Sequence, residues 1–104
     1  MGYIQLINQI MDIRHKITQD NLMSKYERSF NRIISLFEEE GFIIKNPIGE
    51  KYRESSADCE ANIVGAESAD MVVTKVIKPI IYKKVTDKVS LVQKGIIVVE
   101  NRKK

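Results

Sequence analysis

The chain has 104 residues, enough for one ordinary domain or two small units packed together. Charged residues make up 30% of it and apolar residues 43%, a balance typical of a folded chain and not of a disordered one. The net charge of +3 arises from 17 basic and 14 acidic residues spread along the chain, whereas nucleic-acid-binding modules concentrate positive charge on one face. We therefore do not expect nucleic acid as a partner.

The single cysteine, Cys59, cannot form an intrachain disulfide, which suits a reducing compartment. The N-terminus lacks the basic-then-apolar pattern of a signal peptide, and no apolar run approaches the roughly 20 residues that span a membrane. We expect a soluble cytoplasmic protein without a membrane partner.

Two amphipathic helices are predicted in the first part of the chain. The first has an apolar stripe at alternating steps of three and four, widened by Ile7 and Met11: Tyr3, Leu6, Ile10, Ile13 and Ile17. The second has a wider stripe: Leu22, Met23, Tyr26, Phe30, Ile33, Ile34 and Phe37. Asp20 or Asn21 is expected to cap its start, and Gly41 to end it with Phe42 packing back.

The short connection between the helices predicts an antiparallel pair. Two helices cannot cover both stripes, so the β part, a second copy of the chain or a further helix is expected to pack there.

The apolar period changes to that of β-strands near Pro47 and Gly49, which mark a turn. Strands are predicted at 59–64, 71–82 and 89–99, with a hairpin connection at 86–88. Pro79 is expected at an edge or bulge, and Gly95 at a bulge or a close backbone approach. We predict an α+β fold, with an antiparallel helical hairpin (residues 1–45) followed by a small all-β C-terminal domain (residues 46–104).

Catalytic chemistry is not indicated by the sequence. His15, flanked by Arg14 and Lys16, is typical of a solvated helix surface, and one histidine cannot supply the usual metal-ligand spacing. Asp58 and Glu60 would share a strand face, but exposed pairs of this kind are common. Nucleotide-binding and nucleophile-elbow motifs do not occur in the sequence. We expect no enzyme, no cofactor, no catalytic residue and no metal.

The order of short motifs in the second half resembles the GrpE family, the nucleotide exchange factors of DnaK-type chaperones. The motifs are Gly49-Glu50-Lys51-Tyr52, Asp58-Cys59-Glu60-Ala61, residues 73–79 and residues 91–99. Residues 6–12 are similar to a helix of that family, and residues 37–44 to the end of the helix that leads into its β-domain.

The chain departs from the family pattern at several positions. Cys59 replaces a histidine, Ile80-Ile81 replaces Gly-Tyr, and Gln93-Lys94-Gly95 replaces Arg-Pro-Ala. GrpE proteins also carry a long N-terminal helix, so we expect either a truncated or a naturally short, divergent member.

The resemblance implies a homodimer whose β-domain docks on a chaperone ATPase domain and promotes ADP release. It implies partner contacts at Tyr52, Glu60, Ile81, Gln93 and Lys94. The alternative for Tyr52 and Ile81 is core packing, for Glu60 a local hydrogen bond or salt bridge that supports the turn, and for Gln93 and Lys94 a solvated strand end. The stripe Tyr3, Leu6, Ile10, Ile13 and Ile17 would form the dimer.

Two other functions are compatible with the sequence. One is a stand-alone interaction or regulatory module with a different partner. The other is a small RNA-binding protein that uses Tyr82 and strand lysines, although sparse aromatic residues argue against base stacking. Those lysines are Lys75, Lys78, Lys83, Lys84 and Lys88.

Overall fold

The computed structural model describes residues 2–53, 57–65 and 70–101. Within this part, two helices come first, α1 (Tyr3–Gln19) and α2 (Met23–Glu39). Six strands follow: β1 (Phe42–Lys45), β2 (Cys59–Val64), β3 (Met71–Lys78), β4 (Ile80–Val85), β5 (Lys88–Gln93) and β6 (Gly95–Asn101). The protein is therefore α+β, with helices preceding strands as predicted. Neither helix is long and apolar enough to cross a membrane.

The two helices pair with their opposite ends together. The ring of Tyr3, at the start of α1, lies 6.3 Å from that of Phe37, near the end of α2, centroid to centroid. The predicted N-cap of α2 is wrong. Asp20 and Asn21 instead terminate α1: Asn21 has φ +62°, and the Leu22 amide bonds back to the Ile17 carbonyl at 3.1 Å.

The end of α2 follows the prediction. Gly41 has φ +94°, and a Cβ there would lie 2.7 Å from the Lys84 carbonyl oxygen, so glycine is required for two reasons. The next residue, Phe42, packs edge-on against Phe37 with ring centroids 6.5 Å apart. The helix ends at Glu39, and the chain enters the β part directly with a strand at Phe42–Lys45.

The strands form two three-stranded sheets. The first sheet has the antiparallel order β1-β4-β5. The second has the order β2-β6-β3, with β2 parallel and β3 antiparallel to the central β6. The predicted runs 71–82 and 89–99 are each divided into two strands, at Pro79 and at Lys94. The chain passes from one sheet to the other at both points, and Pro79 cannot donate to a ladder.

Each sheet has its own hydrophobic cluster. The first cluster lies between the helices and the first sheet: Ile7, Met11, Phe37, Phe42 and Ile81. The second cluster belongs to the second sheet: Met71, Val73, Ile97 and Val99. Because β1 pairs with β4, the first sheet takes strands from both sides of the predicted boundary at 45/46, and that boundary stays a prediction.

Candidate partner-binding site

The ladder between β2 and β6 brings together residues from two distant motifs. Cys59 pairs with Gly95 and Glu60 with Ile96 across parallel strands. Lys94 immediately precedes Gly95, so Glu60 and Lys94 lie at the same end of the second sheet, and both are exposed. The exposed acid and the exposed base together give this end of the sheet a polar, charged surface.

We call the adjoining starts of β2 and β6 the junction, and Gly95 allows these two starts to lie close together. A Cβ at Gly95 would lie 2.7 Å from Cγ1 of Ile80 and 3.5 Å from Sγ of Cys59. The Gly95 amide also donates to the Asp58 carbonyl at 2.8 Å. The close backbone approach predicted for Gly95 is therefore confirmed, and it ties the start of β6 to the start of β2.

Tyr52 lies beside a cavity of about 180 Å³ next to the junction. The Tyr52 amide donates to the Met71 carbonyl at 2.8 Å, and its side chain is half-buried against the second cluster. Cationic and anionic side chains share the lining with apolar ones: Lys45, Lys51, Arg53, Glu50, Asp58, Cys59, Pro47, Val73, Ile80 and Ile97. The cavity is smaller than the ~300–1,000 Å³ usual for drug-sized ligands.

Asp58, which immediately precedes β2, links the second sheet to the first through a side-chain hydrogen bond. The Tyr82 hydroxyl on β4 donates to Oδ2 of Asp58 at 2.9 Å, and this hydrogen bond raises the pKa of Tyr82. Burial, and then the Asp58 carboxylate, raise the pKa of the Cys59 thiol from 9.0 to about 11. The thiol is therefore protonated at neutral pH and a poor nucleophile, because the thiolate is the reactive form.

Gln93 is half-buried, and its side-chain amide already forms hydrogen bonds within the protein. Its Nε2 donates to the Asn8 Oδ1 at 2.9 Å and to the Pro79 carbonyl at 2.8 Å, while Asn8 Nδ2 donates to Gln93 Oε1 at 2.8 Å. Its amide thus joins α1 to the β half. The predicted contact with a partner stays untested for Gln93, whose polar groups already have internal partners.

The partner contact predicted for Ile81 does not fit its position in the structure. Its side chain is 0% exposed within the first cluster, so no partner can reach it in this conformation. It lies on β4 on the face that packs against the helices, and the burial of a large aliphatic side chain there explains the choice of residue. Core packing, the alternative considered above, describes this position.

The predicted dimerisation stripe divides into exposed and partly buried positions. Tyr3, Leu6 and Ile13 are 49%, 42% and 47% exposed. Ile10 packs partly against the first cluster, and Ile17 is half-buried. The residues that only widen the stripe, Ile7 and Met11, supply the buried face of α1. Most of the predicted stripe therefore faces outward in a single chain.

Sequence reasoning missed the structural roles of three polar residues near the junction: Asn8, Asp58 as a link between the sheets, and Lys45. Lys45 Nζ lies 5.3 Å from the ring centroid of Tyr82, in a cation–π contact. The one available signal was Asn8, a polar residue that interrupts the apolar run of α1.

In the described part of the chain, no group of three or more histidine, cysteine or acidic side chains could hold a metal ion. No protein-family model, curated protein or solved structure matches this chain.

Proposed function

We propose that this chain is a GrpE-like nucleotide exchange factor that binds the ATPase domain of a DnaK-type chaperone and promotes ADP release. One observation carries the proposal: Glu60 and Lys94, from two separate motifs that resemble the family, both lie exposed at the same end of the second sheet. The order of elements, two helices followed by two small sheets, supports it. The activity would be cytoplasmic, where Cys59 stays reduced.

The mechanism requires no covalent chemistry. A factor that binds the open nucleotide cleft more tightly than the closed one shifts the chaperone toward the open state. The open cleft holds ADP weakly, so the nucleotide leaves faster. The extent of the shift is bounded by the difference between the two affinities, and nucleotide must in turn weaken binding of the factor.

Stopped-flow release of a fluorescent ADP analogue tests the proposal. The chaperone of the same organism is loaded with the analogue and mixed with excess ATP and increasing amounts of this protein. We expect the release rate to rise with protein concentration and to saturate. A release rate that stays constant, in the presence of protein with a cooperative thermal transition, would refute exchange-factor activity.

Charge removal at the junction locates the contact. Glu60→Ala and Lys94→Ala are each expected to raise the half-saturating concentration about 2- to 5-fold, the effect of losing one exposed ion pair. Lys75→Ala is a matched control, because Lys75 is an exposed lysine on β3 of the same sheet. Equal effects at Lys94 and Lys75 would show a diffuse charge effect and contradict this docking surface.

A second candidate is an interaction module with another partner. Exposed apolar residues on the β4–β5 hairpin favour it, since such patches often mark binding surfaces: Val85, Val89, Leu91 and Val92. A folded protein that binds no DnaK-type ATPase domain in a calorimetric titration would support this candidate over the first.

A further inference from the structure

The strand β5 is an open edge of the first sheet. The sheet order β1-β4-β5 leaves one side of β5 without a paired strand in the described part of the chain. Five of its six residues are exposed, and Gln93 is half-buried. An edge of this kind presents backbone N–H and C=O groups that another extended chain can pair with.

The side chains of β5 are unusually apolar for an exposed edge. Val89, Leu91 and Val92 are 51%, 39% and 41% exposed. Leu91 pairs with Tyr82 and Val89 with Lys84, two positions apart on each strand, so Leu91 and Val89 lie on the same face. Leu91 and Tyr82 also border a shallow, open surface depression of about 320 Å³, together with Ala57 and Asp58.

Positive charge flanks this apolar strand at both ends. Lys88 begins β5, Lys94 follows it, and Lys84 lies across from Val89; all three are exposed and form no ion pair within the described residues. Asp87 is the single acid of the hairpin. Carboxylates near both ends of an added strand would therefore be favoured, whereas a second β5 would add further lysines and like-charge repulsion.

The other sheet edges are less suited to strand addition. The backbone of residues 49–52 covers β3, with the Gly49 amide donating to the Val73 carbonyl at 2.8 Å and the Val73 amide donating to the Glu50 carbonyl at 2.9 Å. The edge strand β2 carries Glu60, which repels an acidic segment. The edge strand β1 has only four residues.

We propose that the β5 edge binds an extended segment of another protein, apolar at its centre and acidic at both ends, which pairs as a fourth strand of the first sheet. Backbone hydrogen bonds would supply affinity, while the apolar side chains of β5 and the flanking lysines would select the sequence. This interaction requires neither a chaperone nor a nucleotide, so it goes beyond the proposed exchange activity.

Fluorescence anisotropy with designed peptides tests the proposal. The probe is a fluorescein-labelled peptide of alternating valine and threonine with two glutamates at each end; a matched peptide carries lysines instead. We expect saturable binding of the acidic peptide, weakened by salt, and at least tenfold weaker binding of the basic one. Leu91→Lys should weaken binding at least tenfold, whereas Ile63→Lys, an exposed strand position of the second sheet, should not.

Backbone pairing is tested on the peptide alone, without altering the protein. Two further probes carry N-methyl groups on alternate amides: the first probe on the odd-numbered amides and the second on the even-numbered ones. Strand addition predicts that one set abolishes binding and the other preserves it, because only one edge of the peptide faces β5. Equal binding of both N-methylated probes would overturn the proposal. So would displacement of the peptide by oligouridylate, or self-association of the protein that Leu91→Lys abolishes.

Discussion

The side-chain amides of Asn8 and Gln93 bond to each other reciprocally, although 85 positions separate them in the sequence. Asn8 lies on α1, and Gln93 is the last residue of β5. A third bond, from Gln93 Nε2 to the Pro79 carbonyl at 2.8 Å, reaches the point where the chain passes from the second sheet to the first. One glutamine amide thus connects the helices with both halves of the β structure.

Removing either amide should destabilise the protein. Gln93→Ala leaves Asn8 and the Pro79 carbonyl without this partner, and we expect the free energy of unfolding in urea to fall by about 1–3 kcal/mol. Gln9→Ala, one position along on the exposed side of α1, is the control and should stay within about 0.5 kcal/mol of wild type. In the cycle with Asn8→Ala, a coupling energy of about 0.5–3 kcal/mol is expected, and additive losses would contradict the pair.

Gly95→Ala should destabilise the fold because the new Cβ would lie 2.7 Å from Cγ1 of Ile80 and 3.4 Å from the Lys78 carbonyl oxygen. Overpacking of this kind costs about 1–3 kcal/mol, measured as a lower urea midpoint at unchanged m-value. Gly2→Ala provides the comparison, since its nearest neighbouring atom would be 3.9 Å away. A variant at Gly95 as stable as the one at Gly2 would mean that β6 can move away from β4.

The pH dependence of Cys59 alkylation follows from its environment. Burial and the Asp58 carboxylate favour the neutral thiol in the folded state and raise its pKa to about 11. The rate with iodoacetamide should therefore rise with a midpoint near pH 11 in the folded protein and near 9 in urea. Because the folded pKa is the higher one, the thiol contributes stability below pH 9 that is lost as the pH rises toward 11.

Asp58→Asn separates the charge of Asp58 from burial as a cause of the raised Cys59 pKa. It removes the negative charge but preserves an acceptor for the Tyr82 hydroxyl. The alkylation midpoint should fall only partway toward 9, because burial is the larger cause. An alkylation midpoint near pH 9 in the folded wild-type protein would contradict the proposal that burial and the Asp58 carboxylate raise the pKa of Cys59.

Local sequence patterns were sufficient to predict the elements whose conformation depends on neighbouring residues in the chain. The helices follow from a period of three to four, Gly41 from the need for positive φ, and the strand Cys59–Val64 from its composition. The pattern could not reveal that 71–82 and 89–99 each cross between sheets, because strand propensity does not specify a partner. The Asn8–Gln93 pair depends on such long-range partners and was missed, and for the same reason the pattern could not decide between core packing and a partner contact at Ile81.

The exposed part of the helix stripe leads to the last prediction, a homodimer formed through α1. Leu6 and Ile13 are 42% and 47% exposed, and burying the exposed part of each side chain contributes about 1 kcal/mol, somewhat under half of the value for full burial. By light scattering at high micromolar concentration, the wild type should have about twice the chain mass of 12.0 kDa. Leu6→Glu and Ile13→Glu should shift it to the monomer, because each symmetric contact would bury an unpaired charge.

Gln5→Glu is the matched control for these variants. It adds the same charge on α1 at an exposed polar position and should leave the dimer intact. A wild-type protein that is monomeric at the same concentration would refute the dimer, because the exposed stripe would then not bind a second copy of the chain. Dissociation by Gln5→Glu as well would indicate a general effect of charge on α1, not the loss of an apolar contact.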